Sequence, residues 1–140
     1  MVTMRDTRRR LTLRVMTAAA LAVDAYVHAD LATRFDGNAG SGGISQGTLF
    51  RAEAVAASLA ALLVLFHGRR ITAAFALIIA ASAFAAVMLT RYVDIGALGP
   101  LPDMYDPAWY TEKTISAIAE AIAVITSAAL FVTSLRRTRD

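Results

Sequence analysis

The chain of 140 residues contains no cysteine. A disulfide framework, a thiolate metal site and a redox dithiol are therefore excluded, and a metal ion would have to be bound by oxygen or imidazole ligands. Histidine is scarce, with two residues, and all three prolines fall within residues 93–110. Apolar side chains are in excess, at 57% of residues against about 45–50% in soluble domains. This composition is typical of a protein that resides in lipid.

Four apolar blocks have the length of about 20 residues that a membrane-spanning helix needs. They cover approximately residues 11–32, 48–66, 71–92 and 111–135. Because lipid offers the backbone no hydrogen-bond partners, each block must be helical. The sequence predicts an all-α, polytopic membrane protein: a four-transmembrane-helix bundle that forms one domain, residues 1–140, with outer loops at 33–47 and 93–110.

Basic residues are distributed unevenly along this topology. Of the 14 Lys and Arg residues, ten lie around the start of the first helix, in the turn between helices two and three, or at the end of the chain: Arg5, Arg8, Arg9, Arg10, Arg14, Arg69, Arg70, Arg136, Arg137 and Arg139. The opposite side holds Arg34, Arg51, Arg91 and Lys113. The positive-inside rule then predicts a multi-pass protein of the plasma (inner) membrane with both termini in the cytoplasm.

A cleaved signal peptide is the alternative interpretation of the first block. Arginines 8–10 precede an apolar run, and Val27-His28-Ala29 has the small-x-small pattern of a cleavage site. The four-helix interpretation is preferred because an even number of crossings agrees with basic residues at both ends of the chain.

The two outer connections differ in composition. Residues 33–46 are rich in glycine and serine, which predicts a mobile loop without a fixed shape. Residues 93–110 mix acidic residues with Tyr105, Trp109 and Tyr110, which predicts an ordered interfacial segment with aromatic rings at headgroup depth. An aromatic anchor is the preferred interpretation of this second segment, and a lid over a ligand is the alternative.

Ionisable residues within the apolar blocks predict a polar layer in the outer half of the bundle. The candidates for a ligand site or a charge network are Asp24, His28, Arg51, Glu53, Arg91 and Glu120. Asp24 and His28 are four residues apart and share one helix face. The first interpretation is structural: the two arginines and a protonated His28 balance the three carboxylates and hold the helices in register.

The alternative is an outward-facing intramembrane site for a divalent cation or a small ligand. One imidazole with two or three carboxylates suits zinc, manganese or iron. On this interpretation the metal ligands are Asp24, His28, Glu53 and Glu120, and residues 93–110 cover the site.

Other chemistries have less support in the sequence. Proton-coupled transport of a small solute is a third interpretation, because the chain is similar in size to small multidrug resistance transporters, although helix one carries an aspartate where they carry a glutamate. Haem bound by two histidines of one chain is disfavoured, because His28 and His67 lie about 20 Å apart along the bundle. A nucleophile elbow between a strand and a helix is not predicted.

Two sequence phrases carry a resemblance. The first is Val27-His28-Ala29-Asp30-Leu31, and the second is Gly43-Ile44-Ser45-Gln46-Gly47-Thr48-Leu49-Phe50. They resemble a group of small, functionally uncharacterised four-helix membrane proteins of actinobacterial type, in which a histidine-and-leucine motif ends helix one and an I-x-x-G-x-L-F phrase opens helix two. The resemblance implies a bacterial four-helix protein and draws attention to His28, but it implies no activity.

The function expected first is that of a non-catalytic accessory or assembly subunit of a larger membrane complex. Alanines at four-residue spacing, such as Ala76 and Ala80 in helix three and Ala117 and Ala121 in helix four, form faces that let helices approach closely. The expected partners are the lipid bilayer and either other membrane subunits or further copies of this chain. Nucleic acid is not an expected partner, because the arginines lie at the ends of apolar blocks.

Overall fold

The computed structural model describes residues 3–136, and within that range the chain forms four long helices and no strands. They are α1 (Met4–Ala32), α2 (Gln46–His67), α3 (Arg70–Tyr92) and α4 (Thr111–Arg136), with a short 3-10 helix, Thr33–Phe35, after α1. All four are long and apolar enough to cross a membrane. The predicted all-α, four-helix class is therefore confirmed. Arg137 and Arg139, which contribute to the predicted charge bias, lie outside the described residues, as does the side chain of Arg136.

Helix α1 begins well before its apolar block because its first turn carries a capping box. The Asp6 backbone N–H donates to Thr3 Oγ1 at 3.2 Å, and the Thr3 backbone N–H donates to Asp6 Oδ2 at 3.2 Å. These two hydrogen bonds satisfy N–H groups that a helix start leaves without partners. The apolar composition therefore predicts only the hydrophobic part of α1, whereas the capping box determines the residue at which the helix begins.

The helices form a ring in which each packs mainly on its neighbours. α1 packs extensively on α2 and α4, whereas α3 packs on α4 and to a smaller extent on α2. The core consists largely of alanine, and Ala60, Ala73, Ala76 and Ala80 have no exposed surface. Small side chains at these positions let the helix backbones approach closely, which is how membrane helices gain packing contacts.

One end of the bundle, here termed the terminal end, holds the start of α1, the turn between α2 and α3, and the end of α4. Arg10 donates to the Gly68 carbonyl oxygen at 3.2 Å and lies 3.4 Å from Ser134 Oγ. Arg14 donates to the carbonyl oxygens of Val64, at 3.1 Å, and Leu65. These arginines satisfy carbonyl groups that the last turn of α2 leaves without helical partners.

The opposite end, here termed the loop end, carries the two long connections, and they pack against each other. Asn38 Nδ2 donates to Gln46 Oε1 at 2.8 Å and to the Asp103 carbonyl oxygen at 2.9 Å. A Cβ atom at Gly40 would lie 2.6 Å from the Pro100 carbonyl oxygen, so the absence of a side chain allows this close approach. The glycine-rich composition of residues 33–46 predicts no fixed shape, but in the structure this connection has a hydrogen-bonded conformation.

The side of the membrane that each end faces stays a prediction, and the absence of cysteine makes it directly testable. Ser41 at the loop end and Thr7 at the terminal end are both exposed. With the termini in the cytoplasm, a membrane-impermeant maleimide should label Ser41→Cys in intact cells and Thr7→Cys only after permeabilisation. Labelling of Thr7→Cys alone in intact cells would reverse the orientation.

Candidate functional site

Three of the six predicted site residues come together between α1 and α4. Asp24, His28 and Glu120 are all buried, and each offers a ligand atom within 4.8 Å of those of the other two. On α1, His28 Nδ1 lies 3.0 Å from Asp24 Oδ1 and 3.1 Å from the Asp24 carbonyl oxygen. The four-residue spacing on α1 places both side chains toward α4, which supplies the third. We refer to these three residues as the carboxylate–histidine cluster.

Ser116 links the two carboxyl groups of this cluster. Its hydroxyl group lies 2.8 Å from Asp24 Oδ1 and 3.0 Å from Glu120 Oε1. The other oxygens of the two carboxyl groups, Asp24 Oδ2 and Glu120 Oε2, are buried and have no hydrogen-bond partner within residues 3–136. Buried acceptors without partners cost free energy. The cluster therefore offers two oxygen atoms to a ligand.

The two arginines that were predicted to balance these carboxylates lie elsewhere. Arg51 forms two hydrogen bonds with Asp36, at 2.6 and 2.7 Å, and these bonds lower the pKa of the Asp36 carboxyl group because they stabilise its charged form. Arg91 lies 4.9 Å from the ring of Tyr92 and 5.7 Å from that of Trp109. In the described part of the chain neither arginine forms an ion pair with the cluster, so the predicted arginine-balanced network is not formed.

A cavity of about 300 Å³ lies beside the cluster at the loop end. His28 and Ser116 reach its lining, so the cavity and the cluster share a wall. The apolar lining side chains come from α1, α2, α3 and the second connection, among them Leu31, Leu49, Phe50, Ala83, Val87 and Met104, whereas α4 contributes the polar Lys113 and Ser116.

Glu53 lies in the cavity wall on α2 and is not one of the three cluster residues. Its Oε1 atom is buried and has no hydrogen-bond partner among the described residues. The cavity thus presents one carboxylate oxygen without a partner inside a largely apolar lining.

Residues 93–110, here termed the roof segment, line part of the cavity at the loop end. Leu101, Met104 and Asp106 line the cavity, whereas Tyr105 and Trp109 are 41% and 42% exposed. The backbone N–H of Asp106 donates to the Thr90 carbonyl oxygen at 2.9 Å, which attaches the segment to α3. The segment thus has two partly exposed aromatic rings, while other side chains line the cavity. An anchor at headgroup depth and a lid over a ligand both stay predictions.

Lys113 attaches the roof segment to α4, a role that sequence reasoning missed. Its ammonium group donates to the Asp106 carbonyl oxygen at 2.5 Å and lies 3.3 Å from Asp106 Oδ2. Burial of the neighbouring Tyr110, which also lines the cavity, raises the pKa of its phenol group to about 12. The available signal was that the only lysine of the sequence lies within an apolar block, where ionisable residues usually have a specific partner.

Two other features of the sequence do not contribute a reactive group. Residues 43–47 match the G-x-S-x-G spacing of a nucleophile elbow, but Ser45 is the N-cap of α2, where its Oγ atom accepts a hydrogen bond from the Thr48 backbone N–H at 3.0 Å. His67 lies exposed at the terminal end, remote from His28. The chemistry of the described residues is therefore concentrated in the cluster and the cavity.

Comparison of the chain with known protein families, with curated proteins and with solved structures finds no match. The fold and the site by themselves define a four-helix bundle with four candidate membrane spans and a buried carboxylate–histidine cluster beside a cavity. The two sequence phrases that carry the resemblance meet in this region, because the rings of His28 and Phe50 pack edge to face with centroids 5.3 Å apart. Membership of the resembled group stays a prediction.

Proposed function

We propose that this membrane protein binds a small lipophilic molecule in the cavity at its loop end, and that the molecule carries an amine or another hydrogen-bond donor. The observation that carries the proposal is the buried Oε1 atom of Glu53, which has no partner among the described residues and lies in the cavity wall. An apolar ligand with one donor group would pack against the apolar lining and donate a hydrogen bond to this oxygen atom.

The size and composition of the cavity support a small ligand. Ligand cavities commonly measure about 300–1,000 Å³ and combine an apolar lining with a few convergent polar groups. A volume of about 300 Å³ is at the lower end of that range. Leu49, Val87 and Met104 would contact the body of the molecule, while the carboxylate of Glu53 would fix its orientation.

The charges around the cavity favour a donor group on the ligand. Lys113 and Asp106 form an ion pair, so each compensates the charge of the other. Glu53 has no cationic partner of this kind within the described residues. An uncompensated carboxylate at membrane depth is costly, and a primary amine would donate hydrogen bonds to it and also neutralise its charge.

Binding of para-fluorobenzylamine to the purified protein in lipid nanodiscs, followed by fluorine NMR, tests this function. We expect saturable binding to the wild-type protein, and binding at least about tenfold weaker to Glu53→Gln, because the amide removes the charge that the ammonium group pairs with. Para-fluorotoluene, which lacks the donor, should bind more weakly than the amine to the wild-type protein.

Glu112→Gln is the matched control for this experiment. Glu112 is also a carboxylate at the loop end, but its partner is Arg34, at 2.8 Å, and it does not line the cavity. This variant should bind the amine as the wild type does. Equal affinity of Glu53→Gln and wild type, or an equal loss in both variants, would contradict the proposal.

The accessory-subunit role and proton-coupled transport stay predictions, and the same preparation separates them from ligand binding. A ligand-binding protein should bind the amine when it is purified alone, whereas an accessory subunit acts only within its complex. Transport would additionally require uptake of the amine into proteoliposomes driven by a proton gradient. The plasma-membrane location and homo-oligomer formation also stay predictions.

A further inference from the structure

We propose that Asp24, His28 and Glu120 form a binding site for a divalent transition-metal ion, for which Zn²⁺ is the reference. This inference goes beyond the ligand binding proposed above and does not depend on Glu53. It rests on the donor set, on the charge of the cluster and on the two buried oxygen atoms without partners.

The donor set is the first argument. One imidazole nitrogen and two carboxylate oxygens suit Zn²⁺, Mn²⁺ and Fe²⁺, whereas Mg²⁺ and Ca²⁺ prefer oxygen alone. Ligand atoms around a tetrahedral zinc ion lie about 3.4 Å apart, given metal–ligand bonds of about 2.0–2.1 Å. The three ligand atoms lie within 4.8 Å of one another. Side-chain movements of roughly 1 Å would therefore bring them to bonding distance.

The charge of the cluster is the second argument. The residues Asp24 and Glu120 have no exposed surface, and neither forms an ion pair with an arginine or lysine in the described chain. Two carboxylates balance a divalent cation with no net charge remaining, which is the favourable arrangement at membrane depth. A third carboxylate would exceed this balance, and the position of Glu53 in the cavity wall agrees with a site of two.

The two oxygen atoms and their surroundings are the third argument. Asp24 Oδ2 and Glu120 Oε2 lack partners among the described residues, whereas the opposite oxygen of each carboxyl group lies within hydrogen-bond distance of Ser116. A hydrogen-bonded group behind a metal ligand holds that ligand in orientation. Because His28 and Ser116 also line the cavity, a metal ion would have a route to the cluster.

A proton shared between Asp24 and Glu120 is the rival explanation of the same geometry, because two neighbouring carboxyl groups do not readily ionise together. The two explanations differ in one measurable respect. A metal site binds a stoichiometric ion that is lost when His28 is replaced, whereas a shared proton requires no metal and leaves His28 without that role.

The test is the zinc content of the untagged, purified protein after removal of metals with a chelator and equilibration with Zn²⁺. We expect about one zinc ion per chain in the wild type, and at least about tenfold weaker binding in His28→Gln, Asp24→Asn and Glu120→Gln, measured by competition with a chromophoric chelator. Glu112→Gln is the matched carboxylate control, because Glu112 pairs with Arg34 and does not line the cavity, and it should bind zinc as the wild type does.

A measurement on the wild type keeps the proposal falsifiable if a cluster variant fails to fold. Co²⁺ bound in place of Zn²⁺ should give visible absorption bands of a four-coordinate site, and added Zn²⁺ should abolish them. Absence of stoichiometric zinc or cobalt from the wild type would overturn the proposal in favour of the shared proton. Equal weakening in Glu112→Gln would overturn it as well, because zinc would then bind to carboxylates outside the cluster.

Discussion

Replacement of Ala80 by leucine is expected to lower the free energy of unfolding by about 1–3 kcal/mol, because the close-packed core offers no room for the larger side chain. Ala80 has no exposed surface and belongs to a core cluster that also contains Ala76 and Ala123. The added atoms would have to push α3 away from its neighbours, and membrane helices depend on such contacts for association. An SDS titration followed by circular dichroism measures the change.

The neighbouring Ala81→Leu provides the control for this prediction. Ala81 is on the same helix, but its side chain is exposed, so the same chemical change should alter the unfolding free energy by less than about 0.5 kcal/mol. A similar loss in both variants would indicate that helix propensity or detergent binding, and not core packing, determines the effect.

Replacement of Gly47 by alanine is expected to destabilise the loop end, again by about 1–3 kcal/mol. A Cβ atom at this position would collide with the backbone oxygen of Ala32 and with the carboxyl group of Asp36. The backbone oxygen cannot rotate away, and the carboxyl group is held by two hydrogen bonds from Arg51. Because alanine otherwise favours a helix over glycine by about 0.5–1 kcal/mol, a net loss would identify the contact as its cause.

Gly37→Ala serves as the control, because a Cβ atom there would meet nothing within 4 Å. Thermal unfolding of the two variants in one detergent provides the comparison, and only Gly47→Ala should have a lower midpoint. Unchanged stability of Gly47→Ala would mean that the end of α1 and the start of α2 do not approach as closely as described.

The Gly47 variant also bears on the proposed function. Phe50, one turn further along α2, lines the cavity and packs against His28. Displacement of the start of α2 should therefore weaken binding of para-fluorobenzylamine as well as stability. A variant that lost stability but bound the amine with unchanged affinity would indicate that the cavity is independent of this contact.

Much of the fold follows from the sequence, because lipid offers the backbone no hydrogen-bond partners. An apolar block long enough to cross a membrane must satisfy its own hydrogen bonds, and a helix does so within one segment. The positions of α2 and α3 follow their apolar blocks closely, whereas the early start of α1 depends on the local capping box of Thr3 and Asp6. Capping pairs are local in sequence, so this start was also predictable in principle.

The partners of the ionisable residues were less predictable. The proximity of Asp24 and His28 follows from four-residue spacing on one helix, and the structure has this arrangement. Hydrophobic periodicity does not determine how a helix is rotated about its axis relative to the polar groups of another helix. In the structure Glu120 belongs to the cluster, whereas Glu53 lines the cavity. The sequence identifies both residues as carboxylates within apolar blocks, but it does not distinguish these two positions.

The sequence by itself determined that this is a four-helix membrane protein. The apolar composition and the length of each block decide whether the segment can cross lipid as a helix, and neither depends on how the helices pack. Only the tertiary structure decided that Arg51 pairs with Asp36, that Ser116 joins two carboxyl groups, and that residues 93–110 line part of a cavity. These contacts join residues from different helices and loops. Their formation depends on how closely the helices pack and where the connections lie, which are properties of the assembled bundle.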